Sequence, residues 1–407
     1  MCKTRILFTV RHAALFPVIV GLTLAACSYY DSSLLAPVGA ESGTDAAAGG
    51  PQDASIDSDG ASEDVGADAP SDQGEVGCTH ALPPDPPSVV DAGGDISFVV
   101  ASSGIDFGDG PGGNPAEIGY DLDMRCTCQG EANGCLRESW ADEEACDGPG
   151  GRDNMAGKFL AALGGLFTGL GSESWSQGTT EGAWSLLVKV SGYNGLPDDD
   201  RVKLDWYIPA EFFFFQDGGK DPPKWDGTDA WPIRTTCLVP PADGVSWDVN
   251  ESMYFDDRAY VRDGVLVGSV STAKIHINAD YVLEFTGGLL TAKVVNKDGA
   301  WLLEDGLVAG RWPLQNILSQ ISRTRDPLFN LPICTNSPVY PEVKKQICSF
   351  ADICSGVGTP TTPCDAVSVG LRFSMAPAKL GPIVETGPPS VYCAPEVDPA
   401  QDSCGAP

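Results

Sequence analysis

Residues 201–208 carry the cleanest alternation in the chain. Val202, Leu204, Trp206 and Ile208 share one side and Lys203, Asp205 and Tyr207 the other, the period of a strand with one face on a core. Residues 96–101 and 183–190 are also apolar and β-prone, and the run Phe212-Phe213-Phe214-Phe215 predicts a segment buried on both sides. Short strand patterns then follow at 253–260, 265–270, 274–277, 281–285, 289–295, 301–303 and 307–309, with a late one at 367–373. Asp263-Gly264, Gly287-Gly288, Asp298-Gly299 and Asp305-Gly306 punctuate them. Such steps supply the positive φ that tight hairpins need. Helical spacing appears over 155–170, where Asp153 or Asn154 can cap the start, and over 314–321 and 341–354. The pattern predicts a mainly β chain: an antiparallel β-sandwich or open barrel, jelly-roll-like, with a few short helices and disulfide-braced termini.

The first residues follow another logic. An apolar run at 13–26 comes after Lys3, Arg5 and Arg11 and ends in Leu24-Ala25-Ala26-Cys27, the form of a secretory signal with a lipoprotein cleavage box. Residues 1–26 are read as the signal peptide, and Cys27 as the lipidated first residue of the mature chain. Residues 27–77 are Ala, Gly, Ser and Asp with few large apolar side chains. Such a segment buries too little to offset its ordering entropy and reads as a disordered acidic tether. Residues 78–333 are read as a β-rich domain with an N-terminal cysteine cluster, and 334–407 as a disulfide-rich C-terminal extension packed on it. The expected location is the cell envelope, lipid-anchored. Ser28 in place of an Asp favours the outer membrane, with the domain facing outward.

Twenty-five basic against 56 acidic residues give a formal charge of −31, which excludes nucleic acid as a partner. It leaves the membrane through the lipid anchor, a surface glycan or an envelope protein. Of 14 cysteines, Cys2 leaves with the signal and Cys27 carries lipid. Cys78, Cys126, Cys128, Cys135, Cys146, Cys237, Cys334, Cys348, Cys354, Cys364, Cys393 and Cys404 form an even set, expected in an oxidising compartment to make disulfides whose pairing stays open. Cys126 and Cys128, on opposite sides of an extended chain, are expected to take different partners.

The candidate chemistry is mostly subtractive. Only His80 and His276 remain in the mature chain, and neither an HExxH pattern nor a serine nucleophile elbow is present. His276 is expected on the exposed face of a strand, and His80 at the end of the tether; neither is read as catalytic. Oxygen ligands in glycine-rich turns suit structural calcium, and the candidates are Asp106 with Asp109; Asp147 with Asp153 and Asn154; Asn194 with Asp198, Asp199 and Asp200; and Asp256 with Asp257. Tyr193, Trp225, Trp231 and Trp247 stand in polar loops as candidate ligand-binding aromatics. The preferred expectation is a non-catalytic, lipid-anchored surface protein binding a carbohydrate or an envelope protein, and not an enzyme. The alternatives are a purely structural envelope lipoprotein and a glycan-active hydrolase using a pair of Asp or Glu carboxylates, sought at 198–200 and 217–229.

"IGYDLDMRCTC", "DGPGGRDN", "SGYNGLPDDDRVKLDWY", "PKWDGTDAW", "GLVAGRWPL", "ICSFADIC" and "CDAVSVGLRF", with the lipobox and tether, give a chain that resembles a group of uncharacterised secreted lipoproteins of myxobacteria. The resemblance covers most of the chain from Cys78 onward. It implies surface placement and transfers no activity, ligand or catalytic residue.

Overall fold

The computed structural model describes residues 78–88, 93–141, 145–164, 169–212, 221–277, 281–326, 329–385, 387 and 390–405. Cys27, the tether and three members of the phenylalanine run, Phe213, Phe214 and Phe215, lie outside the described residues. Nine strands follow in chain order: β1 (Ile96–Asp106), β2 (Leu187–Tyr193), β3 (Asp199–Tyr207), β4 (Ala230–Arg234), β5 (Tyr254–Arg262), β6 (Val265–His276), β7 (Val282–Lys297), β8 (Ala300–Pro313) and β9 (Ala366–Val384). All but β4 join into an antiparallel sheet in the order β1-β2-β3-β5-β6-β7-β8-β9, and β9 also pairs with β1. The sheet is therefore a closed eight-stranded barrel, where the sequence allowed a sandwich or an open one. Closure depends on the length of β9. Its first half pairs with β8 from Ala366 to Phe373, its middle with β1 from Arg372 to Ala378, and its last residues run parallel to β4 from Lys379 to Val384. Residues 366–384 of the C-terminal span thus supply the closing strand.

Alternation decides which side chains meet. Val100, Val188, Val190, Val202, Leu204 and Trp206 enter the main core, whereas their neighbours Ala101, Leu187 and Tyr207 enter a second cluster with Ile208, Phe212, Trp231, Ile233, Cys237 and Leu238. The outer face of β2 and β3 is therefore covered, so Asp205 and Tyr207, expected on a polar face, are buried. His276 departs similarly. It is partly exposed, its Nδ1 is buried without a partner, and burial pushes its pKa down to about 4, helped by Arg234 and Lys274.

The described residues form four α-helices, α1 (Met155–Gly164), α2 (Ser172–Glu181), α3 (Leu314–Ile321) and α4 (Tyr340–Ser349); the first three pack on the sheet and α4 packs on α3. Asn154 caps α1, its Oδ1 accepting the Gly157 N–H at 3.3 Å and the Gly370 N–H of β9 at 2.9 Å. Phe159 of α1 meets Trp312 and Phe350 edge-on at 5.9 and 5.5 Å. No apolar periodicity marks α2, whose buried residues are only Ser172, Trp175 and Thr179. Its start is held by Asp109, which accepts the Ser172 N–H at 2.9 Å. No helix among the described residues is long and apolar enough to cross a membrane.

Five disulfides form among the described residues: Cys78–Cys126, Cys128–Cys146, Cys135–Cys364, Cys334–Cys393 and Cys348–Cys404. Cys126 and Cys128 do take different partners. Cys237 and Cys354 are free and buried, which corrects the expectation of a sixth bridge. They belong to different packing clusters, Cys237 to the second and Cys354 to the main one.

Candidate carboxylate centre

Three irregular segments lace together beside the barrel. The Ala81 N–H donates to Gly150 O at 2.7 Å, the Asp121 N–H to Ala81 O at 2.9 Å and the Asp153 N–H to Tyr120 O at 3.0 Å. Cys78–Cys126 and Cys128–Cys146 tie the same segments covalently. Glycine permits the close approach: a Cβ on Gly119, at φ +119°, would stand 2.6 Å from the Asp153 carbonyl oxygen. One on Gly151 would stand 2.5 Å from Asp121 Oδ2 and 2.7 Å from the Arg125 carbonyl oxygen.

This lacing brings Asp121, Asp123 and Asp153 together, with one carboxylate oxygen of each within 4.8 Å of the others. Backbone donors aim them. Asp121 Oδ1 and Asp123 Oδ1 share the Arg125 N–H at 3.1 and 3.0 Å, and Asp153 Oδ2 takes the Leu122 N–H at 2.7 Å. Asp121 Oδ2 lies 2.5 Å from His80 Nδ1. A second grouping, of His80, Asp121 and Cys126, reduces to that pair because Cys126 is oxidised in a disulfide and offers no thiolate. Asp147, accepting from the Thr127 N–H at 2.6 Å, and Asp352, accepting from the Ser368 N–H at 2.8 Å, add charge around the trio.

The electrostatics are those of acids short of cations. Burial, then the charge of Asp121, raises Asp123 to about 6. Burial raises Asp147 to about 7 against the opposing Thr127 N–H, and Asp352 to about 6 against the opposing Ser368 hydroxyl. Asp153 is raised well above its ordinary value by burial first, then by Asp147, Asp352 and Asp123. His80 is raised by its hydrogen bond to Asp121. The trio meets solvent through Asp123, which lines a cavity of about 240 Å³ with Leu122, Arg125, Arg311 and Cys354. Arg311 donates from Nη2 to the Leu122 carbonyl, while its Nε is buried without a partner. An all-oxygen donor set of this kind suits a hard cation.

Of the calcium candidates, Asp147 and Asp153 fall at this centre, and Asn154 is spent on capping α1. Asp106 and Asp109 brace a turn and the start of α2. Asp199 accepts from Asn194 and Arg201 N–H, and Asp198 from Asp263 N–H; Asp200 lies outside the carboxylate groupings. Asp256 accepts from the Arg258 and Ser269 N–H groups, and Asp257 pairs with Arg258. Of the loop 217–229 expected to hold a hydrolase pair, 217–220 lie outside the described residues, and Asp229 is committed to the Lys224 and Trp225 N–H groups at 3.0 and 2.6 Å. The aromatic candidates serve packing. Trp231 is fully buried, Trp225 meets it at a tilt with centroids 5.7 Å apart, Trp247 packs on the second cluster, and buried Tyr193 donates to Leu196 O at 2.7 Å.

Asp121, Asp123, Asp352 and His80 were not singled out for this chemistry. The signal available was Asp121-Leu122-Asp123, two acids at alternate positions before a cysteine pair. The centre also corrects the expectation of a non-catalytic binder that is not an enzyme, because a tight cluster of carboxylates with a histidine beside a cavity is reactive or metal-binding equipment. No family model matches the chain, and neither a curated protein nor a solved structure does.

Proposed function

We propose that the protein is a cation-dependent hydrolase of extracellular glycans, centred on Asp121, Asp123 and Asp153 with calcium as the class of ion. The observation that carries this reading is the convergence of the three carboxylates within 4.8 Å, opening through Asp123 on a cavity. A cation there offsets the mutual repulsion of the acids and polarises an oxygen presented from the cavity. The unpartnered Nε–H of Arg311 is available to an oxygen gaining negative charge. The glycan class rests on the expected envelope location, and anchoring through Cys27 at the outer membrane is part of the same proposal.

The test is calcium titration by calorimetry with reducing-sugar release from envelope polymers. Wild-type protein is expected to bind one calcium ion, and Asp123→Asn and Asp121→Asn to bind at least tenfold more weakly. Release is expected to stop with chelator and with Asp123→Asn. Absence of both calcium binding and sugar release in the wild type overturns the reading. A second reading is favoured by one observation: Asp123, raised to about 6, is a cavity-lining acid that keeps its proton in mild acid, up to about pH 6, as a general acid working there must. Release that survives chelation and declines above about pH 6 selects it.

A further inference from the structure

Away from the carboxylate centre, a second cavity of about 240 Å³ lies between α4, the C-terminal segment and Trp140. Tyr340, Lys344 and Cys348 stand four residues apart along α4 and so share one face. The Cys348–Cys404 disulfide fastens the C-terminal segment across that face. Asp402 is fully engaged: Tyr340 Oη donates to it at 2.8 Å, and Lys344 Nζ stands 3.0 and 3.1 Å from its two oxygens. That network fixes the wall and leaves two donors over. Trp140 Nε1 is buried and has no acceptor among the described residues. Lys345, also lining the cavity, is exposed and has no carboxylate within ion-pair range among the described residues.

A buried N–H without an acceptor costs free energy on the order of 1–3 kcal/mol, so an unmatched indole donor beside an unmatched ammonium calls for an acceptor carrying negative charge. The remainder of the lining is apolar: the Trp140 and Tyr340 rings, Pro341 and the disulfide. Two lysines against one aspartate give this cavity a positive balance in a chain of charge −31. Its volume falls just below the range of about 300–1,000 Å³ typical of drug-sized ligands, which sets the occupant at one ring or a short chain. We propose that this cavity binds a small organic acid, an apolar body of that size bearing one carboxylate that accepts from Lys345 Nζ and Trp140 Nε1.

The test uses the whole mature protein with benzoate and hexanoate as probes and benzyl alcohol as the uncharged control. Titration is expected to shift one indole N–H resonance saturably, and Trp140→Phe, which keeps an aromatic ring and deletes the donor, identifies it by its disappearance. Calorimetry is expected to show benzoate binding at least tenfold weaker in Lys345→Gln, and benzyl alcohol at least tenfold weaker than benzoate in the wild type. Near-ultraviolet circular dichroism checks that both variants are folded. No saturable shift of the Trp140 indole with either acid at millimolar concentration overturns the proposal. Benzoate affinity unchanged by Lys345→Gln, or equalled by benzyl alcohol, does so too.

Discussion

Asp153 is 4 % exposed and its carboxylate accepts from the Leu122 backbone N–H, while Asp121 and Asp123 stand against it. Its proton affinity, with those of Asp123 near 6, Asp147 near 7 and Asp352 near 6, couples the centre to stability. A carboxyl raised in the folded state holds a proton that the unfolded chain releases above about pH 4. Its contribution is therefore largest in mild acid and is lost as pH rises through about 4 to 7. His80, raised by Asp121, adds stability below about pH 6.5 that fades in the same direction. Without divalent cations the melting temperature is expected to fall between about pH 5 and about pH 8, and saturating calcium to abolish the fall by binding the ionised centre. A flat profile in chelator removes the electrostatic basis of the cation site. His276, depressed to about 4, acts oppositely: the unfolded state takes its proton first, so stability drops as pH falls from about 6.5 towards 4. His276→Gln is expected to flatten that acid limb alone.

The residue scale also shows where sequence reading stopped. Asp121 and Asp123 were visible as neighbours, but their value comes from Asp153, Asp352 and His80, and nothing local distinguishes them from the other carboxylates among 56 acids. The cysteines behaved similarly: composition predicted oxidation, yet only the fold separates Cys237 and Cys354 into different clusters. Burial raises Cys237 to about 11 and raises Cys354 as well. Both are expected to be unreactive towards a thiol reagent in the native protein and to titrate as two thiols in denaturant without reductant. Zero thiols would restore the sixth bridge.

At the scale of elements, four look-alike signals had two outcomes. Asp263-Gly264 and Asp298-Gly299 are hairpin turns, joining Arg262 to Val265 and Lys297 to Ala300, with φ of +50° and +78° in the first and +53° and +88° in the second. Gly287-Gly288 and Asp305-Gly306 instead lie inside β7 and β8, at or beside register shifts that bend the long strands round the barrel. Periodicity located these strands but broke each of them in two, because a bulge and a turn use the same residues. Gly306 pairs with Phe373, and a Cβ on it would stand 1.9 Å from the ring. Gly306→Ala is expected to cost about 1–3 kcal/mol through overpacking, measured by denaturant unfolding. Gly264→Ala, with open space but positive φ, should cost about 1 kcal/mol. Equal effects would mean that Phe373 yields freely and that the bulge is not held by it.

At the scale of the whole molecule, the β character was legible in alternation and turn chemistry, while closure was not, since it rests on pairing between β1 and a strand over 260 residues later. Cys135–Cys364 spans 229 residues and ends two positions before β9, so it clamps the N-terminal cysteine segment to the closing strand. Cys128–Cys146 spans only 18 and braces the loops that carry Asp123, Asp147 and Asp153. Loop-closure entropy assigns the long bridge about 5 kcal/mol and the short one about 3. The two should therefore separate stability from site geometry. Cys135→Ser with Cys364→Ser is expected to lower unfolding free energy by about 2 kcal/mol more than Cys128→Ser with Cys146→Ser, while leaving calcium affinity within a few-fold of wild type. The short-bridge variant is expected to show the reverse, a smaller loss of stability and at least a tenfold loss of calcium affinity, because three carboxylates hold one ion only while their loops stay in register. Denaturant unfolding and calcium titration on the two double variants read both quantities. If the long-bridge variant loses calcium affinity as fully as the short-bridge one, the centre is held by the barrel and not by its own lacing, and the local construction argued for Asp121, Asp123 and Asp153 fails.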